Sequence, residues 1–422
     1  MTKDHNPDDL ESQVGRELHH RVDGLHQAPL SLDDVKGRAG SIRRNRRLAT
    51  AAGIVAAVAV IVPVAVLTGQ NLGDDNGLPP ASQSPHPSPT RATDSTGPSP
   101  TPSTSPEPSA GDLPTYSLLG DFPAGPAPAV PYLDGTRLVR PDQAPVELPR
   151  AYDTFALLGD RFVGTYSDDN ADRMVDVVEA DSTVSRSDPI VERIAVNDQS
   201  TTVAYGTPDG SIQTLWAEDG VELARDVGEP ASVAAVRGDG SCYEVDGGCR
   251  VFFNSTTFGD PPRAADSHGI VDQFMNGAIK VNDVSPSGLI AVQTSSSDTG
   301  SCSGVYDEQE RDFVFETCDN SLRRFSPDGG LLLASDAYGD GIGLGSLTVL
   351  DTATGDPLVK FEITGGFIGD EVWEDDAHLL VVTYEDVGWR VLRLGLDGTI
   401  AVVAGPESGA DEERPFFLPM AP

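Results

Sequence analysis

The chain has 422 residues and a formal net charge of −37, with 66 Asp or Glu against 29 Lys or Arg. The excess lies after residue 67, because residues 1–47 carry nine basic and eight acidic residues and residues 48–67 carry no charge. A strongly anionic surface repels nucleic acid and anionic lipid headgroups, which argues against nucleic-acid binding and otherwise indicates only a solvated surface.

An amphipathic helix pattern lies within residues 8–25. Aliphatic residues recur there every three or four positions with charged residues between them, which is typical of one apolar helix face. These residues are Leu10, Val14, Leu18, Val22 and Leu25. Pro29 interrupts the pattern, and Ser31 predicts the N-cap of a second helix.

The apolar stripe of residues 8–25 has no core within its own segment to bury it, since residues 1–47 are too few to form one. We therefore predict a partner for it, which would be a cytoplasmic protein, a second copy of the helix or the inner membrane surface. The alternative is a partly ordered tail without a specific target, because short isolated helices are marginal in water.

Residues 48–69 predict one transmembrane helix. The stretch LATAAGIVAAVAVIVPVAVLTG is uncharged, and about 20 apolar residues at about 1.5 Å each match a hydrocarbon core of about 30 Å. Pro63 lies inside this stretch, where a kink is tolerated. The segment is therefore long enough to span a bilayer.

The charges that flank this span predict its orientation. Four basic residues precede it, namely Arg43, Arg44, Arg46 and Arg47, and Asp74 and Asp75 follow it. The positive-inside rule then places the N-terminus in the cytoplasm and the C-terminal domain outside the cell membrane. A cleaved signal peptide is the alternative, but the basic region ends only at residue 47 and the exit lacks a small-x-small cleavage site.

A Pro/Ser/Thr-rich linker is predicted for residues 70–114. Its runs, such as PSPTPSTSPEPS, hold no aromatic residue and cannot form a core. A proline-rich chain favours extended polyproline II at about 3.1 Å per residue, so this segment would reach on the order of 100 Å. Such a length would carry the following domain through a cell-wall layer.

Residues 115–422 predict an all-β domain. Short apolar stretches such as RFVGTY, CRVFF, LIAVQT and HLLVVTY are separated by Gly, Asp, Asn, Ser and Pro turns, and no stretch shows sustained helical periodicity. Many short strands at regular spacing indicate a sandwich, a barrel or a propeller.

A repeat in the sequence favours a propeller over a sandwich or a barrel. The segment from Val284 to Val292 aligns with the segment from Phe325 to Leu333, and the two Ser-Pro pairs lie 41 residues apart, which is the length of one blade. A weaker copy begins at Ala204, and a related turn and strand begin at Glu374. Division of the domain by about 40 residues per blade predicts seven blades, with six as the alternative.

The Ser-Pro-Asp-Gly turn at Ser326 and the Leu-Asp-Thr-Ala-Thr-Gly turn at Leu350 resemble those of WD40-like and TolB-like β-propellers. The arginine cluster, the Ala/Val span and the Pro/Ser/Thr stalk are similar to those of single-pass propeller proteins of high-GC Gram-positive bacteria. This resemblance implies an extracytoplasmic propeller and, in some of those proteins, a cytoplasmic segment that looks like a sigma-factor partner. A fold by itself does not give a function.

The four cysteines lie in the predicted outer domain, where thiols oxidise, and indicate two disulfides. Of the three possible connectivities we favour local pairing, Cys242 with Cys249 and Cys302 with Cys318. Asp246-Gly247-Gly248 turns the chain between the first two, and the second two flank a predicted hairpin. A zinc site is not favoured, because no C-x-x-C spacing or nearby His pair is present.

No catalytic motif stands out, and no cofactor is predicted. The G-x-S-x-G elbow of a serine hydrolase is absent. An acidic turn is a weak calcium candidate that lacks EF-hand spacing and otherwise indicates a solvated loop; it comprises Asp168, Asp169, Asn170 and Asp172. Asn254-Ser255-Thr256 matches an N-glycosylation sequon, a triplet that is common by chance.

The sequence therefore favours a non-enzymatic sensor or binding protein. Its propeller would recognise an unknown extracellular ligand, and its N-terminal helix would engage a cytoplasmic regulator. The alternatives are a tethered extracellular hydrolase that acts on a glycan or lactone in the propeller channel, and an envelope scaffold. The hydrolase requires a group of acids or His that converges at one mouth of the channel.

Overall fold

The computed structural model describes residues 112–420, with gaps at 218–221, 239, 241, 243–247, 258, 267, 269–270, 340–341 and 387. The predicted helix of residues 8–25, the arginine cluster, the span of residues 48–69 and nearly all of the linker lie outside the described residues. Among those described, no helix is long and apolar enough to cross a membrane.

The described strands form seven sheets, which are antiparallel apart from one parallel pair in blade 6. A short strand, β1 (Thr115–Ser117), precedes them. Blade 1 takes β2 (Tyr132–Asp134), β3 (Arg137–Val139) and β4 (Val146–Glu147). Blade 2 contains β5 (Thr154–Leu158), β6 (Arg161–Ser167), β7 (Arg173–Val178) and β8 (Val184–Pro189). Blade 3 contains β9 (Ile194–Val196), β10 (Thr202–Gly206), β11 (Ser211–Trp216) and β12 (Glu222–Asp226).

The remaining blades follow the same plan. Blade 4 contains β13 (Ala231–Arg237), β14 (Arg250–Ser255), β15 (Arg263–Asp266) and β16 (Val271–Asp272). Blade 5 contains β17 (Lys280–Val284), β18 (Leu289–Ser297), β19 (Gly300–Asp307) and β20 (Asp312–Thr317). Blade 6 contains β21 (Asn320–Phe325), β22 (Leu331–Asp336), β23 (Ser346–Asp351) and β24 (Pro357–Glu362). Blade 7 contains β25 (Gly366–Asp375), β26 (His378–Glu385), β27 (Gly388–Gly395) and β28 (Ile400–Ser408), and β29 (Phe416–Phe417) completes blade 1.

This arrangement is a seven-bladed β-propeller, which confirms the predicted fold and the seven-blade count over the six-blade alternative. In each of blades 2 to 7 the strands follow one another as a meander from the first strand, at one edge of the sheet, to the fourth; in blade 6, β1 lies beyond the fourth strand. The first strands surround the central channel, and the fourth strands form the rim.

Blade 1 closes the ring with strands from both ends of the domain. Its sheet order is β29-β2-β3-β4, so the last strand of the chain occupies the innermost position. β29 pairs antiparallel with β2, with Leu133 opposite Phe417 and Asp134 opposite Phe416. Backbone hydrogen bonds between distant parts of the chain therefore hold the ring shut.

Apolar packing fills every interface between neighbouring blades. Seven clusters of buried residues are present, and each combines strands of two adjacent blades. Trp373, which is 1% exposed, packs with Leu333 and Val349 between blades 7 and 6. Since both faces of a blade are buried, its strands are apolar runs rather than alternations of apolar and polar residues.

The segment before β2 runs along the outside of the ring, and we call residues 114–130 the outer strap. β1 adds to the rim of blade 6 by parallel pairing with β24. Further along, the Gly125 N–H donates to the Val402 carbonyl at 2.8 Å on the rim of blade 7. The strap thus joins the rims of two blades before the chain enters blade 1.

A buried arginine of blade 7 fixes the first part of the strap. The Arg390 guanidinium donates to the Leu118 carbonyl at 2.8 Å and to the Gly120 carbonyl at 2.9 Å. It also pairs with Glu385 at 2.8 Å. Hydrogen bonds between an ionised donor and backbone acceptors are stronger than neutral ones, so Arg390 anchors the strap to the ring.

We predict that removal of one side chain at the ring closure destabilises the whole domain. Phe416 is 1% exposed in the core between blades 7 and 1. Phe416→Ala should lower the free energy of unfolding by about 3–5 kcal/mol, as expected for a buried aromatic ring. Urea denaturation of the 112–422 fragment measures this loss. The control is Phe417→Ala on the opposite face of β29, where the ring is only partly buried; an equal loss in both variants would contradict the prediction.

Candidate functional site

The central channel contains a small cavity of about 40 Å³. It is partly open and lies between the innermost strands of blades 3 to 6 and the segment after β29. Its lining residues are Arg193, Ala195, Val196, Ala234, Ala235, Asn282, Asp283, Arg324 and Met420. One water molecule needs about 10–15 Å³ of such space. The cavity therefore holds a few waters or one small group, and a sugar or lactone ring does not fit.

Two of the charged side chains that line this cavity lie at β-bulges. The pairing of β17 with β18 shifts register between Val281 and Asp283, and the pairing of β21 with β22 shifts between Leu322 and Phe325. A bulge inserts an extra residue and re-aims the side chains next to it. As a result Asp283 and Arg324 line the channel although their strands are otherwise packed between blades.

Arg193 and Arg324 are the cationic groups of the cavity. The Arg193 Nε donates to the Val233 carbonyl at 3.3 Å, and the Arg324 Nη2 lies 3.8 Å from the Met420 Sδ. Among the described residues, neither guanidinium forms an ion pair with a carboxylate. Burial lowers the pKa of Arg193, and the nearby positive charge of Arg324 lowers it further. Two like charges thus share one cavity, and the nearby negative charge of Asp283 acts on the pKa of Arg193 in the opposite direction to that of Arg324.

Asp283 is the carboxylate of the cavity. Its Oδ2 accepts a hydrogen bond from the Phe325 N–H at 2.8 Å, which links blade 5 to blade 6. Burial raises the pKa of the Asp283 carboxyl to about 6, although this hydrogen bond and the charge of Arg324 act in the opposite direction. A substantial fraction of this carboxyl is therefore neutral near pH 6.

Asp370 makes the corresponding link between blades 7 and 1. Its Oδ2 accepts from the Leu418 N–H at 3.0 Å, directly after β29. Burial raises the pKa of Asp370, and the charge of Arg414 opposes the increase. Beside it, Arg323 of blade 6 pairs with the buried Glu371 of blade 7 at 2.6 Å. The channel wall is therefore cross-linked by polar contacts between blades.

In the acidic turn that was the calcium candidate, the Asp168 carboxylate accepts hydrogen bonds from backbone N–H groups of the same turn. The turn forms the connection between β6 and β7, where the Asp168 Oδ1 accepts from the Asn170 and Asp172 N–H groups at 2.8 Å each. The hydrogen bond from Asp172 lowers the pKa of Asp168. Within the described ranges no group of three or more His, Cys, Asp or Glu side chains is placed to hold a metal ion. The arrangement gives the calcium interpretation no support.

Both disulfides are present with the favoured connectivity. Cys242 pairs with Cys249 in the connection between β13 and β14. Cys302 pairs with Cys318, which joins β19 to the connection that leads into blade 6. The two disulfides lie in different blades. Each one joins cysteines that are close in sequence and therefore closes a short loop. Disulfides persist in oxidising compartments, which supports an extracytoplasmic domain.

The sequon at Asn254 is buried. Asn254 is 7% exposed, its Nδ2 donates to the Val281 carbonyl at 2.9 Å, and its Oδ1 accepts from the Val281 N–H at 2.8 Å. The donor and the acceptor of the side-chain amide thus both bond to the backbone of Val281, which links blade 4 to blade 5. In the folded domain it serves as a structural residue and not as a glycosylation site.

A second cavity of about 390 Å³ lies between the outer strap and blade 7. Its polar residues are already paired with one another: Arg393 forms an ion pair with the buried Glu374, and the His378 Nδ1 lies 2.9 Å from the Asp375 Oδ1. Arg393 also donates to the carbonyls of Pro126 and Ala127. These contacts hold the strap in place.

The sequence interpretation missed Arg193, Asp283 and Arg324. A signal for two of them was present in the repeat, because Asp283 and Arg324 both stand two residues before a Ser-Pro pair, in equivalent positions of consecutive blades. Arg193 has no such signal, since blade 3 lacks the Ser-Pro turn.

Comparisons with known proteins give no family for this chain. No protein-family model matches it, and no curated protein matches it. Among solved structures, it is similar to the β-propeller domain of Cps50 (Swd1) from Myceliophteria thermophila, with 12% sequence identity and a TM-score of 0.40. The match covers 61% of this chain and 88% of that chain. A likeness of this size carries no argument about function.

We predict that Asp283 makes the stability of the domain depend on pH. Below about pH 3.8 the carboxyl is neutral in both states; from there to about pH 6 only the unfolded chain loses the proton, so stability falls as pH rises. Asp283→Asn keeps an acceptor for the Phe325 N–H and removes the charge. It should raise the free energy of unfolding by about 2–3 kcal/mol at pH 7.5 and change it little at pH 4.

Urea denaturation of the 112–422 fragment at both pH values measures this difference. The matched control is Asp298→Asn, because Asp298 is exposed in the connection between β18 and β19. A gain at pH 7.5 no larger than that of the control would show that burial of Asp283 does not destabilise its charged form.

Proposed function

We propose that this chain is a single-pass membrane protein whose extracytoplasmic propeller binds a ligand or protein partner without catalysis, and whose N-terminal helix engages a cytoplasmic regulator. The observation that carries the binding half is the size of the channel cavity, about 40 Å³. A glycan or lactone substrate has no room there, whereas a rigid ring of loops suits recognition at a face. The fold is consistent with binding or scaffold roles.

Surface exposure supports recognition by loops of the ring. The connection between β22 and β23 carries Tyr338 and Ile342, which are exposed by 52% and 56%. This connection contacts blade 5, where the Ser301 N–H donates to the Ala337 carbonyl at 3.0 Å. Exposed large apolar side chains that lie close together in sequence are typical of contact sites.

The cavity under the outer strap, at about 390 Å³, is large enough for the sugar that the hydrolase alternative requires. Its two carboxylates are occupied, however, because Glu374 pairs with Arg393 and Asp375 pairs with His378. A general acid needs a carboxyl with a free proton site facing the substrate. The geometry therefore favours binding over hydrolysis.

Membrane anchoring rests on the sequence and on the disulfides. The uncharged span of residues 48–69 follows four arginines, and the domain beyond it holds two disulfide bonds. Such an anchor would place the propeller outside the membrane, together with an extracellular ligand. It would place the amphipathic stripe in the cytoplasm, together with a regulator. The linker of residues 70–114 supplies the reach between them.

We predict the orientation of the chain by cysteine labelling in intact cells. A membrane-impermeant maleimide should label a Ser103→Cys variant in the linker and should not label a Ser41→Cys variant until the cells are lysed. The native cysteines do not interfere, because all four form disulfides. Labelling of both positions in intact cells, or of residue 41 alone, would contradict the topology.

We predict that residues 1–47 retain a cytoplasmic partner through the apolar stripe. In a pulldown from a native lysate, Val14→Asp with Leu18→Asp should reduce the retained partner at least about tenfold, because a charge in an apolar groove is left unpaired. The matched control is Glu11→Gln with Glu17→Gln on the polar face, which should retain the partner. Retention of nothing above background, or equal retention by the apolar-face variant, would refute the relay.

A further inference from the structure

The two channel arginines belong to the minority of basic residues of the domain for which the described residues give no ion pair. Residues 112–422 contain 19 Lys or Arg against 54 Asp or Glu. At least twelve of the basic residues form ion pairs with carboxylates. Arg193 and Arg324 form none among the described residues, although acids outnumber bases almost three to one.

Among the described residues, the Arg193 and Arg324 side chains each make one contact with a protein acceptor. A guanidinium carries five N–H donors in a planar fork. Arg193 uses one of them on the Val233 carbonyl, and Arg324 makes one weak contact with the Met420 Sδ. Both side chains line the same cavity, which holds the positive charge of each near the other. An anion between them would accept these donors and relieve the repulsion.

We propose that the central-channel cavity is a binding site for a carboxylate group, held between the guanidinium forks of Arg193 and Arg324. The planar fork of arginine matches the two oxygens of a carboxylate. The volume of about 40 Å³ admits a group of that size and excludes a whole sugar or nucleotide. The carboxylate belongs either to a free small acid or to a longer ligand that reaches in from the channel mouth.

Asp283 sets the pH at which this site accepts an anion. It lines the same cavity and is surrounded by Arg324 on β21, by Arg193, by Asp198 in the connection after β9 and by the N–H groups of Phe325 and Val284. When Asp283 is ionised it competes for the two arginines, and when it is neutral the cavity is net positive. The half-buried Asp370 lies near Arg324 and acts in the same direction. Binding should therefore tighten as the pH falls through about 6.

The test is isothermal titration calorimetry of the 112–422 fragment with sodium formate in a bulky sulfonate buffer. The fragment contains all seven blades and the strand that closes the ring, so it is a folding unit of its own. We expect one saturable site at pH 5.0 with about tenfold weaker binding at pH 7.5, since an adjacent like charge in a partly buried site costs at least that much. Asp283→Asn should bind formate equally at both pH values.

Variants of the two arginines separate this site from general charge effects. Arg193→Gln and Arg324→Gln should each weaken formate binding at least about tenfold, because a charge-assisted bidentate contact is lost. Arg193→Lys keeps the charge and loses the fork, so it should fall between wild type and Arg193→Gln. The matched control is Arg311→Gln, since Arg311 is exposed in the connection between β19 and β20 and should bind within about twofold of wild type.

A second ligand distinguishes the source of the carboxylate. Butyrate that binds as tightly as formate indicates an open mouth and a longer ligand, whereas exclusion of butyrate indicates a free small acid. Absence of saturable formate binding at pH 5.0, or equal binding by the two glutamine variants, would overturn the proposal. The site requires neither a membrane anchor nor a cytoplasmic partner, so its failure would leave the proposed relay untouched.

Discussion

Closure of the ring is the constraint on which the rest of the structure depends. β29 brings the end of the chain to the innermost position of a sheet whose other strands come from the beginning of the domain. Without this pairing, blades 1 and 7 would each expose an apolar face. With it, all seven interfaces between blades are buried, and the channel becomes an enclosed space rather than an open groove. The outer strap adds a second link on the rim, where β1 extends blade 6.

The channel wall carries polar links at the same places where its strands bulge. Asp283 and Asp370 each accept a hydrogen bond from a backbone N–H of the next blade, so a carboxylate links the two blades at each of these interfaces. These links position the charged groups and also desolvate them, which raises the pKa of both acids. The same bulge in blade 6 exposes Arg324 to the cavity. The bulges of the innermost strands therefore have two consequences: polar links between the blades, and charged side chains in the channel.

Much of the fold could be predicted from the sequence, because a propeller repeats its signals. The spacing of the Ser-Pro turns near Ser285 and Ser326 set the blade length, and both disulfides join cysteines that are close in sequence. The site was less accessible to prediction. Arg193, Asp283 and Arg324 come from three blades, and their convergence depends on bulges that shift strand register by one residue. The closing strand was also not evident, since Phe416–Phe417 is too short for a recognisable pattern.

The most direct measurement is a crystal structure of the 112–422 fragment grown with sodium bromide at pH 5.0 and analysed by anomalous scattering. Bromide serves as a small monovalent anion that can be located without ambiguity. If the channel is an anion site, an anomalous peak lies between the guanidinium groups of Arg193 and Arg324, while the ring is closed by β29. Ion pairs of these arginines with Asp283 or Asp370, with bromide only at the outer surface, would contradict it.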